Sequence, residues 1–305
     1  MTDSFKGYAA GIVAAATYGL NPLFALPVYE HGMNADSVLF FRYLIAIPIV
    51  GAMLLMRGHS PAVKAKDILP LAMMGTVTAL SSLFLFLSYY YMNAGIASTI
   101  LFIYPVLVAL MMALLYRERI SRPTAACMAV ALTGILLLCK PSGDATLSLT
   151  GVILSILSGL TYAIYIVAAN RPRFQKMPTL KMLFYVLIFG TMVFASRLFV
   201  SGTLVLPTCA LDWVCVTCLA LLPTAISFGC TTLAIQKIGS TPTAILGALE
   251  PVTALLVAFA VFGESVSSRE TAGIILILVA VSFVAAGKDA AGALIRIRKM
   301  FPRAK

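Results

Sequence analysis

Glu250 is the only acidic side chain in the middle of any apolar run of this 305-residue chain. An ionised carboxylate in hydrocarbon costs about 2.5 kcal/mol or more, so it must be protonated or paired. It precedes Pro251, whose missing N–H leaves the Gly247 carbonyl without its helical donor, as Pro105 does for Leu101. Three readings are open for Glu250: a proton carrier, a partner for a substrate amine, or a structural group tied to Arg42 or Arg197. These two are the basic residues inside apolar runs. Arg42, about six residues into its run, can attract a carboxylate or pair with Glu250. Arg197, about four residues from the end of its run, can carry its guanidinium to the interface on its own stem.

Other polar residues fall at the same depth as Glu250. They are Thr17, Tyr18 and Asn21; Ser81 and Ser82; Tyr104; Ser158, Thr161, Tyr162 and Tyr165; and Thr224 and Ser227. Any single hydroxyl can bond back to its own helix or serve as a small packing residue. Their shared depth argues instead for a common cavity, because lipid satisfies none of them. Paired tyrosines could stack a planar ligand while the hydroxyls and Asn21 hold its polar end. Pro22, Pro27 and Pro48, with Pro105 and Pro251, are candidate flexing points. Tyr89, Tyr90, Tyr91 and Trp213 stand at run ends, where an aromatic belt explains them.

Enzyme chemistry fails on inventory. Every Asp lies in a loop or at a run end, which excludes an aspartyl intramembrane protease, and both histidines, His31 and His59, are in loops. There is no His-Glu-x-x-His and no phosphate-cradling Gly-x-x-x-x-Gly-Lys-Ser/Thr. No cofactor or metal is called for. Cys127, Cys139, Cys215, Cys218 and Cys230 lie in apolar runs and Cys209 in a loop, so no disulfide framework is implied. Cys215-x-x-Cys218 is explained by packing.

The elements that must position these residues follow from composition. Hydrophobic residues make up 61% of the chain and charged ones 11%, where a soluble domain has about 25% charged. With a mean hydropathy of +1.01 this is an all-α integral membrane protein. Ten apolar runs are long enough to cross a bilayer: 8–28, 37–56, 68–92, 94–116, 123–139, 149–168, 182–201, 213–236, 240–262 and 271–287. The third and fourth abut and form a tight hairpin. With the N-terminus inside, 18 of the 22 Lys+Arg fall in cytoplasmic segments and 2, Lys140 and Arg269, outside. Both termini are therefore expected in the cytoplasm, with 288–305 as a basic cytoplasmic tail. The net charge of +11 is spread over short loops, which speaks against nucleic acid as a partner.

A shift of 146 aligns Thr78 with Thr224, Ala79 with Ala225, Ser81 with Ser227, Pro105 with Pro251, Glu118 with Glu264 and Ala126 with Ala272. A shift of 144 aligns Gly7 with Gly151 and Thr17-Tyr18 with Thr161-Tyr162. The chain thus reads as a duplicated five-span unit, 1–140 and 149–287. Because five is odd, the second copy is inverted, an architecture of secondary transporters with a mid-membrane site.

Two five-span halves, mid-span prolines in spans 4 and 9, a Glu just past each (Arg117-Glu118-Arg119 and Gly263-Glu264-Ser265) and Gly/Ala-rich closing spans resemble the drug/metabolite transporter superfamily. Its EamA-like ten-span exporters are the most similar, over about residues 7–287. The resemblance implies a proton-linked or gradient-driven carrier of small molecules in a bacterial inner membrane. It implies export of amino acids, aromatic ones included, with hydrophobic drugs as the second substrate class. Sugar phosphates and nucleotides rank low, because a phosphate wants several basic groups. The rival class is a non-catalytic channel or membrane module.

Overall fold

The computed structural model describes residues 3–92, 94–117, 121–138, 148–262 and 268–286. The Glu118 and Glu264 motifs, Lys140 and the tail from 288 onward lie outside these residues. Among the described residues there is no strand. The first apolar run is divided into α1 (Asp3–Tyr18) and α2 (Asn21–Glu30), followed by α3 (Ala35–Met56) and α4 (Ala65–Ser88). The fourth is divided into α5 (Ala94–Leu101) and α6 (Tyr104–Tyr116), and α7 (Arg122–Leu138) follows. Then come α8 (Leu149–Ala169), the short α9 (Pro172–Gln175) and α10 (Thr179–Ser201). The next segment is α11 (Ala210–Ala220), a π-helical stretch Leu221–Ile226 and α12 (Ser227–Ile238). The chain continues through α13 (Ser240–Leu246), α14 (Leu249–Phe262) and α15 (Ser268–Ala286).

Among the described residues six segments are long and apolar enough to cross a membrane: Asp3–Glu30, Ala35–Met56, Ala65–Ser88, Leu149–Ala169, Thr179–Ser201 and Ala210–Ile238. Their polarity is inverted relative to a water-soluble bundle. Phe199, Leu69, Leu114 and Phe283 face outward, while Arg42, Asn21, Thr224 and Glu250 are buried. Lipid outside and protein inside accounts for both facts.

The breaks have chemical causes. Pro22, Pro105 and Pro251 each stand in the first turn of the helix that resumes after an interruption. The Gly247 carbonyl is not left bare as the sequence suggests, since the Glu250 N–H reaches it at 2.8 Å in a tightened turn. Pro27 and Pro48 stand inside α2 and α3, which continue through them. Pro223, overlooked in the sequence, matters more. It removes the donor to the Leu219 carbonyl, the Thr224 hydroxyl takes that place at 2.8 Å, and the backbone widens into the π stretch.

Packing pairs the segments crosswise: α1 with α12, α4 with α8, α3 with α10, and α7 with α15. Gly75 of α4 allows a close approach of α10, because a Cβ there would stand 2.8 Å from the Val186 carbonyl oxygen. The bundle has two ends. The Asp3 end carries the Asp3–Lys237 and Asp67–Arg173 ion pairs, and the His31 end carries the His31–Asp212 and Asp36–Arg197 pairs.

Candidate functional site

Arg42 is fully buried, and none of its polar partners among the described residues is acidic. Its Nε donates to the Thr224 hydroxyl at 2.5 Å, Nη1 to Asn21 Oδ1 at 2.8 Å and Nη2 to the Pro223 backbone carbonyl at 3.1 Å. The ring faces of Phe86 and Phe228 lie 5.5 and 5.9 Å from Cζ. Sequence built this nest locally: the break before Asn21-Pro22 turns Asn21 inward, and the π stretch presents Pro223 and Thr224. The positive charge is solvated by dipoles and π faces but not neutralised. A buried charge without a counter-ion is costly.

Glu250 sits at the start of α14, 8% exposed, and accepts a 3.4 Å hydrogen bond from the Tyr104 hydroxyl at the start of α6. Among the described residues no Lys or Arg is within ion-pair distance of it. The structural tie to Arg42 or Arg197 is therefore not made. Arg197 instead holds Asp36, Nε to Oδ1 at 2.6 Å and Nη2 to Oδ2 at 3.1 Å, and is a surface clasp between α10 and α3.

Between the two charged groups runs a continuous aromatic wall. Tyr18 stacks on Tyr162 (6.1 Å, 7°) and on Phe228 (6.1 Å, 27°). Tyr162 stacks on Tyr165 (6.3 Å, 9°) and meets Tyr104 edge-on at 4.8 Å. Two water-sized voids adjoin Glu250. One lies toward the His31 end and is lined by Tyr18, Asn21, Pro22, Tyr89 and Ser98. The other lies toward the Asp3 end and is lined by Gly11, Tyr104, Tyr162, Thr231 and Thr243. Asn21 thus touches the first void with one side and Arg42 with the other.

The remaining residues at this depth divide. Ser81 and Ser158 exchange hydrogen bonds with each other's carbonyls at 3.1 and 2.7 Å, joining α4 to α8. Ser227 donates to the Ala14 carbonyl at 2.8 Å, joining α12 to α1. Thr17 and Thr161 bond back to their own helices. Ser82 holds the Tyr43 hydroxyl at 2.9 Å, and Tyr165 meets Thr232 at 2.9 Å. These hydroxyls are engaged in helix contacts, so common depth overstated how many residues share one cavity. Tyr89, at a run end in the sequence, lines the first void.

Gly247 is required where it stands, because a Cβ there would fall on the Tyr104 hydroxyl. Gly247→Ala is expected to destabilise the protein by about 1–3 kcal/mol through overpacking. Gly229→Ala, inside α12 and with its Cβ meeting Leu183 at an ordinary 3.6 Å, is expected to hold or slightly raise the unfolding temperature. Thermal unfolding of both variants in detergent checks the contrast.

A sequence profile of the EamA-like transporter family matches residues 5–139 and residues 149–286. The chain therefore belongs to the EamA-like transporter family, a class of membrane transporters rather than enzymes. An "Uncharacterized transporter" of Archaeoglobus fulgidus is 27% identical over 189 residues. That match covers 62% of this chain and 66% of the relative, just under two thirds of its length. A solved crystal structure, 19% identical, superposes with a TM-score of 0.76 over 92% of this chain and 96% of that one, a likeness of fold.

Proposed function

We propose that the protein is a secondary carrier that exports small zwitterions, chiefly amino acids with aromatic or apolar side chains, by alternating access. The observation that carries this reading is the pair of buried ends of one aromatic wall: among the described residues, the Arg42 guanidinium is held by neutral groups and the Glu250 carboxyl by a tyrosine hydroxyl. A substrate carboxylate replaces Asn21 and Thr224 on Arg42, gaining a charge-assisted bond where a neutral one stood. The substrate ammonium reaches Glu250, and the side chain occupies the space that opens when Tyr18 and Tyr162 part. Glu250 holds either a proton or the amine, so proton entry and substrate exit alternate. In the conformation described the aromatic rings fill the site, which is an occluded arrangement.

The same proposal includes ten crossings as two inverted five-helix repeats, 1–140 and 149–287, both ends cytoplasmic in a bacterial inner membrane. The crosswise packing supports it, since exchanging each segment for its counterpart converts α1·α12 into α8·α4 and leaves α3·α10 and α7·α15 unchanged as pairs. Hydrogen bonds follow the same rule. At shifts of 146 and 144, Ser81 to Ser158 and Ser227 to Ala14 are equivalent bonds. Reporter fusions after Lys140 are expected to score external and fusions after Lys176 cytoplasmic.

Purified protein in liposomes, tested against labelled amino acids, nucleosides, sugar phosphates and cationic dyes, decides the substrate. Saturable counterflow of aromatic amino acids is expected. Flux of dyes or phosphates without amino-acid flux would favour the drug or phosphate reading instead, and flux without counterflow would indicate a channel.

A further inference from the structure

His31, Cys209 and Asp212 are separated by up to 181 residues, yet their ligand atoms lie within 4.8 Å of one another at the His31 end of the bundle. His31 Nδ1 stands 2.6 Å from Asp212 Oδ1 and 3.8 Å from Cys209 Sγ. Imidazole, thiolate and carboxylate are the three side-chain donors that zinc(II) uses. The carboxylate is already oriented. Asp212 is buried, and its Oδ2 accepts from the Thr208 N–H and hydroxyl at 2.9 Å each and from the Cys209 N–H at 3.2 Å, leaving Oδ1 for His31 alone. Such outer contacts fix a ligand in place. His31 and Cys209 are exposed, so an ion can enter and the fourth position is open to water.

Tetrahedral ligands of zinc stand roughly 3.3–3.5 Å apart, so Nδ1 and Oδ1 would separate by roughly 0.7 Å, while Sγ would close by roughly 0.3 Å on Nδ1 and by up to roughly 1.3 Å on the carboxylate, within the 4.8 Å spread of the cluster. These adjustments are within reach of an exposed His and Cys. On binding, the thiol proton passes to solvent and the sulfur binds as thiolate.

His31 closes the C-terminal end of α2, and Cys209 is the residue that caps α11, its sulfur accepting the Asp212 N–H. The opposite ends of these elements carry Asn21 on one side and Pro223 and Thr224 on the other, the three partners of Arg42. We propose that His31, Cys209 and Asp212 form an inhibitory site for a thiophilic divalent ion of the zinc(II) type. Filled, it staples α2 to α11 and holds the His31 end of the transport path shut. The inhibitory part rests on the carrier reading above, whereas the site does not.

Cobalt(II) titration of the purified full-length protein tests the site directly. One ion per chain is expected, with the near-ultraviolet charge-transfer absorption of a cobalt–thiolate bond. Cys209→Ser should abolish that absorption, and His31→Gln should weaken binding at least tenfold. No absorption, or absorption that survives Cys209→Ser, overturns the site. Asp212 is left intact because it also caps α11. In proteoliposomes, zinc(II) applied to the His31 end should slow amino-acid counterflow at least tenfold, reversibly with chelator, and should not do so in Cys209→Ser. Undiminished counterflow with the site filled overturns the clamp. The titration needs no transported solute, so failure of the site and failure of the carrier reading are distinguished.

Discussion

Arg42→Gln is expected to lower counterflow of a labelled aromatic amino acid by about a hundredfold, and Arg42→Lys by at least tenfold. A hydrogen bond to a charged group contributes about 1.5–3 kcal/mol, and each 1.4 kcal/mol is a factor of ten. Lysine keeps the charge but loses the planar fork that now reaches Thr224, Asn21 and Pro223 together. The test for a carboxylate partner is selectivity. In the natural protein an amine lacking the carboxylate should compete poorly with the amino acid, and in Arg42→Gln the two should compete alike. Arg42→Met removes the buried charge but also leaves the Asn21 side-chain oxygen and the Pro223 carbonyl without their donor, so its unfolding temperature should fall or stay level rather than rise. A folded Arg42→Gln protein with normal flux and normal selectivity would remove Arg42 from the site.

Glu250→Gln is expected to abolish accumulation driven by a pH gradient, bringing the concentration ratio to about one, while counterflow persists at a reduced rate. The amide keeps the shape and still accepts from Tyr104, but it cannot take up and release a proton. Tyr104→Phe removes only the 3.4 Å hydrogen bond and should lower the rate several-fold without uncoupling. Gradient-driven uptake into inside-out vesicles, compared with exchange at equal pH, separates the two effects. Unimpaired accumulation in a folded Glu250→Gln protein would return Glu250 to a purely structural role.

Depth was legible in the sequence and direction around the helix was not. The apolar runs place Glu250 and the tyrosines at one level and Arg42 nearer one end of its run, because distance along an apolar run is read directly from the sequence. Helices that are apolar on every face offer no amphipathic stripe to say which side turns inward. Ser81 and Ser158 were therefore read as cavity residues when they join α4 to α8, and Tyr89 as interfacial when it lines a void. The Arg42 nest was hidden for another reason. It depends on a π stretch set up by Pro223 and Thr224, a local widening of the backbone that leaves no periodic signal. The His31, Cys209 and Asp212 cluster joins residues from two separate connections, and no spacing rule spans 181 positions.

The hydrogen bond between Tyr104 and Glu250 joins residues 146 apart, the offset that relates one half of the chain to the other. Each is the other's counterpart, so on the inverted-repeat reading they meet where the two halves face each other. A protein with glutamate at both positions would set two carboxyl groups against each other, able to ionise together only at high cost. One with tyrosine at both would have no exchangeable proton at physiological pH. The two halves differ here, and the result is a single acid beside a single hydroxyl. If the proposed proton coupling through Glu250 holds, that pairing limits the centre to one proton per transport cycle.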